Sequence, residues 1–430
     1  MPIETTHPEY KAEDWQKMRD CYEGNTAVKE ANETYLTRPN GQKQGSYEAM
    51  LKRAFFLPVL ARTIAEVTGN IMRKDPVIEV PTALQPVVDD VGTGKPLDLF
   101  ISSCISELLL SSRRGVLVDY QGNQPVLLAY NAENIVNWSD DFIVLREPYY
   151  SPDPKDPYSF VLLDAYRELT FDENGYYIQR VWTKKEKQRH YEITEVIQPL
   201  AMGEKLDSLP FVWMNPLDNT NTVRKPVFLD LADANLQHYQ VYSDLRQVIQ
   251  GTTHKATFLF ADGEAPKEVI YGLGAINHVN DSQARAEVLS DNSGLTEYLN
   301  VLDKLETQMA ALGARSLQAK RKQVQSGESA RIEQSGDSAT LTTIASSVES
   351  GIEQALEIAA RFVGATAEEV IVEVNKDFVD TEINPQMISA MLQALNTGRI
   401  SENTWLSFLQ RGELLPITVE EELEFISDGN

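Results

Sequence analysis

Residues 226–362 constrain this chain more than any other stretch. Their pattern runs from a long amphipathic helix through a short β-rich insert to a second, heptad-like helix, then a polar basic tract and a third long helix. The first helix is expected over residues 226–251, with Pro226 at a first-turn position where its missing N–H costs nothing. At 1.5 Å per residue it would span roughly 40 Å. The second helix is expected over residues 295–317, where Leu295, Tyr298, Leu302, Leu305, Met309 and Leu312 recur at alternating spacings of three and four. That spacing is one continuous apolar seam. Gly263, Pro266, Gly272, Gly274 and Gly294 keep the intervening stretch from holding a helix. An apolar seam needs partners to bury it, such as the preceding helix. The third helix carries Leu341, Ile344, Val348, Ile352, Leu356 and Ala359 on one stripe, leaving Glu349, Glu353 and Glu357 to face water.

The net charge of −25 bears on function. Proteins that grip DNA by its phosphates are usually basic, because their cations replace condensed counterions. An acidic chain of this kind is either an ordinary soluble protein or one that surrounds DNA without holding it. In the second case an acidic wall repels phosphates and leaves a shallow energy profile along the duplex. With 430 residues, of which 42% are hydrophobic, the chain suits two or three cooperating folded parts. No apolar run approaches the roughly 18 residues that a membrane-spanning helix needs. The opening MPIETTHPEY has neither a basic lead nor an apolar block, so no secretory signal is expected. Cys21 and Cys104 read as free buried thiols in a reducing cytoplasm.

Residues 1–225 read as one α+β part. Helices are expected over 14–22, 47–71 and 97–111, the last closed by Gly115 and flanked by Arg113 and Arg114, whose cations suit its C-terminal dipole. Strands are expected over 77–80, 116–120, 125–130, 143–147, 159–166, 176–183, 190–197 and 210–213. Gly122–Asn123 reads as a hairpin turn, 148–157 as a proline-rich loop, 184–189 as a charged turn and 215–224 as a polar linker. Beyond the third helix, a strand over 370–374 and helices over 385–397 and 401–410 are expected, with Gly398 between the two helices.

Little catalytic chemistry is legible. Gly272 and Gly274 imitate the start of a dinucleotide loop, but the third glycine position is Asn277, and no phosphate-cradling GxxxxGK[ST] exists. His7, His190, His238, His254 and His278 have no His or Cys at ligand spacing, so neither a metal nor a cofactor is expected. His238 reads as a packed or solvated helix residue, the alternative being a pH-sensitive contact. Asp119 ends its strand as nuclease acids do, without the accompanying ExK strand. Lys320, Arg321 and Lys322, followed by Gln323 and Ser326, form a basic, flexible polar tract, for which a solvated surface loop is an even reading on the sequence alone.

The order helix, β insert, helix, polar loop, helix resembles the core of tailed-bacteriophage portal proteins. So do the strings NLQHYQVYSDLRQVIQ from Asn235, LETQMAALGARSL from Leu305 and GESARIE from Gly327. HPEY at His7, YLTRP at Tyr35, RAFFLPVLARTIAEVTGNIMRKDP at Arg53, GVLVDY at Gly115 and AENIVNW at Ala132 are similar to the family's opening blocks, so the resemblance covers most of residues 7–363. It implies a portal fold with a wing over 1–225, a first stem helix over 226–252, a clip over 253–294 and a second stem helix over 295–317. A tunnel loop over 318–335, a long channel helix over 336–363 and a crown-like region over 364–430 complete it.

The implied role is structural rather than enzymatic. A ring of about twelve copies would sit at the head vertex and pass double-stranded DNA without sequence preference. Its partners would be the terminase large subunit, the major capsid protein and the head–tail connector, with assembly in the host cytoplasm and residence in the virion. Lys320, Arg321, Lys322, Gln323 and Ser326 would face the channel, and the Leu295–Leu312 seam would pack between subunits. The alternatives are another phage head protein, such as a scaffold or minor head protein, and an acidic enzyme whose site is assembled from distant residues.

Overall fold

A computed structural model describes residues 2–38, 40–122, 124–153, 156–184, 190–253, 257–260, 276–279, 294–313, 327–376, 385–411, 415 and 419–428. The chain divides into two compact units, Met1–Lys376 and Asp377–Asn430. The first opens with α1 (Ala12–Glu23), α2 (Asn25–Glu30), α3 (Gln44–Arg53), α4 (Val59–Ile71), β1 (Val77–Glu79), α5 (Gln85–Asp89) and α6 (Leu97–Ser111). A run of strands follows: β2 (Arg114–Gln121), β3 (Gln124–Asn131), β4 (Ile135–Trp138), β5 (Ile143–Asp153), β6 (Asp156–Phe171) and β7 (Tyr177–Thr183). It continues with β8 (Glu192–Ile197), β9 (Leu200–Ala201), β10 (Glu204–Lys205) and β11 (Phe211–Met214). The unit then holds α7 (Leu229–Thr253), β12 (Thr257–Phe260), β13 (Ile276–Val279), α8 (Gly294–Ala311), α9 (Gly327–Val363) and β14 (Ile371–Glu373). The second unit holds α10 (Pro385–Asn396), α11 (Glu402–Arg411) and α12 (Val419–Asp428). The class is α+β, as expected.

Two antiparallel sheets, ordered β11-β2-β3 and β4-β5-β6-β7-β8, carry the strand-rich part. The run GVLVD makes β2 buried from Arg114 through Asp119, as a strand covered on both faces must be. Leu117 joins Tyr130, Ile135, Trp138, Ile143, Leu145, Leu169, Tyr177 and Phe211 in one core cluster spanning both sheets. The pleat turns Val116 and Val118 the other way, and both α6 and α9 pack against this strand. Gly115 makes the first arrangement possible, because a Cβ there would lie 2.1 Å from Phe211 Cζ and 3.0 Å from Ile135 Cδ1.

A buried polar network ties the two sheets together. Gln179 Nε2 and Gln121 Nε2 donate to Asp119 at 3.0 and 3.1 Å. Arg167 donates to Gln179 at 2.5 Å and to both Glu147 oxygens at 2.7 and 3.2 Å. The Tyr130 hydroxyl reaches Glu147 at 2.5 Å. Asp119 therefore has both carboxylate oxygens occupied by amide donors inside the fold.

The end of α6 differs from the sequence expectation. The helix stops at Ser112, held at φ 57° with its N–H on the Leu108 carbonyl at 2.9 Å, three residues before the glycine expected to stop it. Arg113 is 1% exposed. Its guanidinium lies 4.1 Å from the Trp138 ring and 4.4 Å from the Trp213 ring, and it donates to the Asn221 carbonyl at 2.6 Å. Burial pulls its pKa down to about 9, which leaves it charged at neutral pH, with the two indole faces offsetting lost hydration. His7 stacks on Trp138 at 3.9 Å, which fastens the N-terminal segment to the same column. Arg114 instead donates to the Ser103 carbonyl at 2.9 Å. Neither arginine serves the helix dipole from solvent.

Several further expectations needed correction. Pro58 breaks the helix expected over 47–71 into α3 and α4, because proline lacks the N–H and restricts the residue before it. The proline-rich stretch is strand: β5 and β6 pair from Ile143↔Leu169 out to Pro152↔Phe160. Its prolines are tolerated because β4 pairs with β5 only over Ile143–Leu145, leaving the edge of β5 beside Pro148 and Pro152 free of ladder bonds. Glu349 and Glu353 do not face open water, since they accept the backbone N–H groups of Val374 and Val372 at 2.9 and 3.2 Å. The strand expected over 370–374 pairs antiparallel with β1, which places residues 364–376 in the first unit and starts the second at Asp377. Residues 327–335, expected in a loop, are the first turns of α9.

In the second unit Gly398 stands at φ 68° while its own N–H bonds to the Leu395 carbonyl and that of Arg399 to the Ala394 carbonyl, both at 2.9 Å. That pair of bonds is a Schellman stop for α10. Ser401 then caps α11 by accepting the Thr404 N–H at 3.2 Å.

The close approach at Gly115 is directly testable. Gly115→Ala is expected to lower the unfolding free energy of the chain by about 1–3 kcal/mol, measured in urea, through overpacking against Phe211. An unchanged midpoint would mean that the sheet accommodates the methyl group freely.

Candidate functional site

The stretch from α7 to α9 is the candidate site. It is built as a helix pair held firmly at one end. Along α7, positions 229–239 are mostly buried and positions 240–250 mostly exposed or half-buried. Four side-chain contacts hold α7 along most of its length: Lys17 pairs with Asp233 at 2.9 Å, and Asn235 Nδ2 donates to the Leu57 carbonyl at 3.0 Å. Gln240 Nε2 donates to the Tyr35 carbonyl at 2.8 Å, and Gln247 contacts the Met50 sulfur. Helix α7 begins at Leu229, three residues after the expected Pro226, whose carbonyl accepts the Leu229 N–H at 3.2 Å.

Helix α8 packs against α7 and shows the complementary gradient, with Met309 and Ala310 buried and most of residues 295–301 exposed. Gly313 lets its end pass close to the base of α7, since a Cβ there would lie 2.9 Å from Phe228 and 3.2 Å from Thr63. Of the seam residues, Leu302 and Leu305 are each 7% exposed and Met309 is fully buried. One copy of the chain therefore already buries the middle of the seam, and a neighbouring copy is not needed for it. Leu295 and Tyr298 are half-buried, and Leu312 is 41% exposed. Val301, which sequence spacing did not single out, is 42% exposed. Leu312 continues the helix by donating its N–H to the Gln308 carbonyl at 2.9 Å. At 100° per residue, Val301 and Leu312 lie about 20° apart on one side of α8.

His238 is a packed helix residue, 3% exposed. Its Nε2 lies 3.7 Å from Glu306 Oε1, too long for a hydrogen bond, and burial lowers its pKa from the ordinary 6.5 against the pull of Glu306. Helix α9 packs against α4, α6 and the β11-β2-β3 sheet. Ile344, Val348, Ile352, Leu356 and Ala359 are all buried, as the stripe predicted, while Leu341 is half-buried. Gly351 admits Met214, whose Cε would lie 2.7 Å from a Cβ there. The polar linker docks on the same helix: Asn219 Nδ2 donates to the Ser347 carbonyl at 2.7 Å, and Ser347 Oγ returns a bond to Asn219 at 2.6 Å. Lys320, Arg321, Lys322, Gln323 and Ser326 lie outside the described residues, as do Gly272 and Gly274. Within the insert, β12 and β13 pair in parallel from Thr257↔Ile276 to Phe260↔Val279.

Among the described residues there is no group of His, Cys, Asp and Glu that could hold a metal ion, and no helix is long and apolar enough to cross a membrane. Cys21 and Cys104 are free and buried, and burial pushes the Cys21 thiol up to about 12.

Residues 227–363, the stretch from the base of α7 to the end of α9, match a family described as a domain of unknown function, DUF4055. No curated protein matches the chain. Among solved structures, the chain is similar to one titled as the neck of a native GTA particle computed with C12 symmetry, at 8% identity and a TM-score of 0.38, over 89% of this chain and 98% of that one. A virion of a native gene transfer agent particle gives 12% identity and a TM-score of 0.33, over 89% and 98% of the two chains. The neck of an empty GTA particle computed with C6 symmetry gives 12% identity and a TM-score of 0.33, over 87% and 96%.

Two outcomes follow from this geometry. Replacing Leu302 and Leu305 together with Asp buries two carboxylates without partners, so α8 should detach from α7 within a single copy, read as lost helical signal and faster proteolysis near residue 300. Intact α8 in that variant would contradict the packing. For His238, the folded state binds its proton less readily than the unfolded chain does, so its contribution to stability is complete above pH 6.5 and is lost as pH falls below it. His238→Gln should flatten the fall in stability that begins as pH drops below about 6.5, where one group contributes at most about 1.4 kcal/mol per pH unit.

Proposed function

We propose that this chain is a portal subunit: one of about twelve copies forming a ring at the head vertex of a phage-like particle. In this reading the rooted α7–α8 pair is the stem and residues 253–294 are the clip offered to the terminase large subunit and later to the head–tail connector. The body built around α9 forms the wing facing the major capsid protein. Double-stranded DNA passes through the ring, and Lys320, Arg321 and Lys322 touch its phosphates in transit.

The observation that carries the reading is the α7–α8 pair itself. Four side-chain contacts hold α7 to the N-terminal part, the pair flanks an insert of some forty residues, and α8 keeps Val301 and Leu312 exposed. An exposed apolar pair on one side of a projecting helix is what a neighbour in a ring would cover. The net charge of −25 supports a conduit that does not grip its cargo.

Electron microscopy of the purified chain should show rings with a central hole. Val301→Asp with Leu312→Asp should abolish them while preserving the circular dichroism and melting of the single copy, because both positions are already solvated there. Rings that persist in the double variant would remove α8 from the contact between copies, and compact monomers of the unaltered chain would overturn the portal reading. Free duplex should bind no tighter than about 10⁻⁶ M at physiological salt, with no sequence preference.

A further inference from the structure

The hairpin of β5 and β6 runs beyond the rest of its sheet, and its two outer edges differ. Strand β4 pairs with β5 no further than Leu145, and β7 pairs with β6 no further than Tyr166. Past those points the hairpin is a two-stranded ribbon among the described residues. Successive residues of a strand aim their N–H and C=O groups to alternate sides. The Ser139 N–H bonds to the Phe142 carbonyl at the turn into β5, so even-numbered residues of β5 aim away from β6. Pro148 and Pro152 fall on that side and have no N–H to offer, which blunts this edge. At the far end of β6 the Asp172 N–H bonds to the Tyr176 carbonyl, so even-numbered residues of β6 aim away from β5. Phe160, Leu162 and Asp164 therefore turn their main-chain groups outward on an edge without proline. The side chains beside that edge are apolar and open, with Tyr158, Phe160 and Leu162 at 92%, 59% and 56% exposure.

We propose that the open edge of β6 pairs antiparallel with the same edge of a second copy, about a twofold axis at Val161, and joins two five-stranded sheets into one. An antiparallel edge is complementary to itself in its N–H and C=O groups. Here the side chains are self-complementary as well. Pairing about Val161 sets Phe160 of each copy opposite Leu162 of the other, an aromatic–aliphatic cross-strand pair. Charge favours a second copy too, because no charged residue lies between Asp156 and Asp164 and the net charge of −25 is not brought to bear on this edge. Asp164 is already held by Arg146 of its own copy at 2.9 Å. A shift of two residues would set Asp156 opposite Asp164 of the other copy, so like charge disfavours that register. The contact is isologous and distinct from the head-to-tail contacts that close a ring. It joins two copies or two rings, and it stands whether or not rings form.

The test is register-specific cross-linking of the full chain under mild oxidation, with the native thiols Cys21 and Cys104 buried. At the twofold axis the two Val161 residues form a non-hydrogen-bonded pair with Cα atoms about 4.5 Å apart, within disulfide range. Val161→Cys should therefore give a disulfide-linked dimer on a non-reducing gel. Leu163→Cys should not, because its two copies lie four residues out of register, roughly 13 Å apart. Leu162→Pro, added to Val161→Cys, removes an outward N–H that the fold of one copy does not use, and should cut the dimer yield at least tenfold with the melting temperature kept. Leu162→Asp, at an exposed position, should act likewise by setting like charges across the axis, and it serves in place of the proline variant if that one fails to fold. Absence of the Val161→Cys dimer, equal yields from Val161→Cys and Leu163→Cys, or an unchanged yield with Leu162→Asp would each overturn the proposal.

Discussion

A helix pair that leaves the body of a protein must be held at one end, and here that restraint is the root of α7. Its buried half sets Asp233 against Lys17 of α1, Asn235 and Tyr239 against Leu57 and Phe56 between α3 and α4, and His238 near Glu306 of α8. The Asn235 bond to the Leu57 carbonyl reaches into the proline-induced break between α3 and α4. Asp233 and the Asn235 amide N–H find partners, while Asn235 Oδ1, His238 Nδ1 and the Tyr239 hydroxyl make no hydrogen bond among the described residues, so the apolar Leu231, Ala232, Leu236 and Leu245 supply the cohesion. Helix α8 packs on α7 through Leu302, Leu305 and Met309. Were the root to loosen, α8 would lose its support with it.

Charge and shape act together in the portal reading. A chain of net charge −25 is a poor phosphate-gripping protein, and association between identical copies works against that repulsion. Ring formation must then draw on apolar contact and on ion pairs of opposite sign set at the copy–copy boundary. The exposed Val301 and Leu312 supply part of the first. Bulk acidity is also compatible with concentrated cation in a few places, and the tract at Lys320–Lys322 is the densest such place in the chain.

Local signals were legible, and long-range ones were not. Periodicity identified the buried stripe of α9 and the seam of α8, and Gly122 and Gly398 marked turns that the backbone makes at φ 60° and 68°. What escaped depends on partners distant in the chain. Arg113 looked like a cation at a helix end, and its burial follows from Trp138 and Trp213, 25 and 100 residues away. Glu349 and Glu353 looked solvated because nothing local announces that β14 returns to lay its N–H groups on them. Proline in β5 argued for a loop, since an unpaired strand edge is a property of the sheet and not of the segment. In the candidate site the seam was found, but not which of its residues one copy buries for itself. That division required the position of α7.

The central claim is that the α7–α8 pair lies closer to the axis of a ring than the strand-rich body does. Adjacent copies in a closed ring are separated in proportion to their distance from the axis. Lys304→Cys on α8 and Glu173→Cys at the turn between β6 and β7 are both exposed, and the native thiols Cys21 and Cys104 are buried, so each position takes a spin label selectively. Dipolar distances between copies should be clearly shorter from position 304 than from position 173. Equal distances, or a longer one at 304, would place the helix pair on the outside and contradict the account.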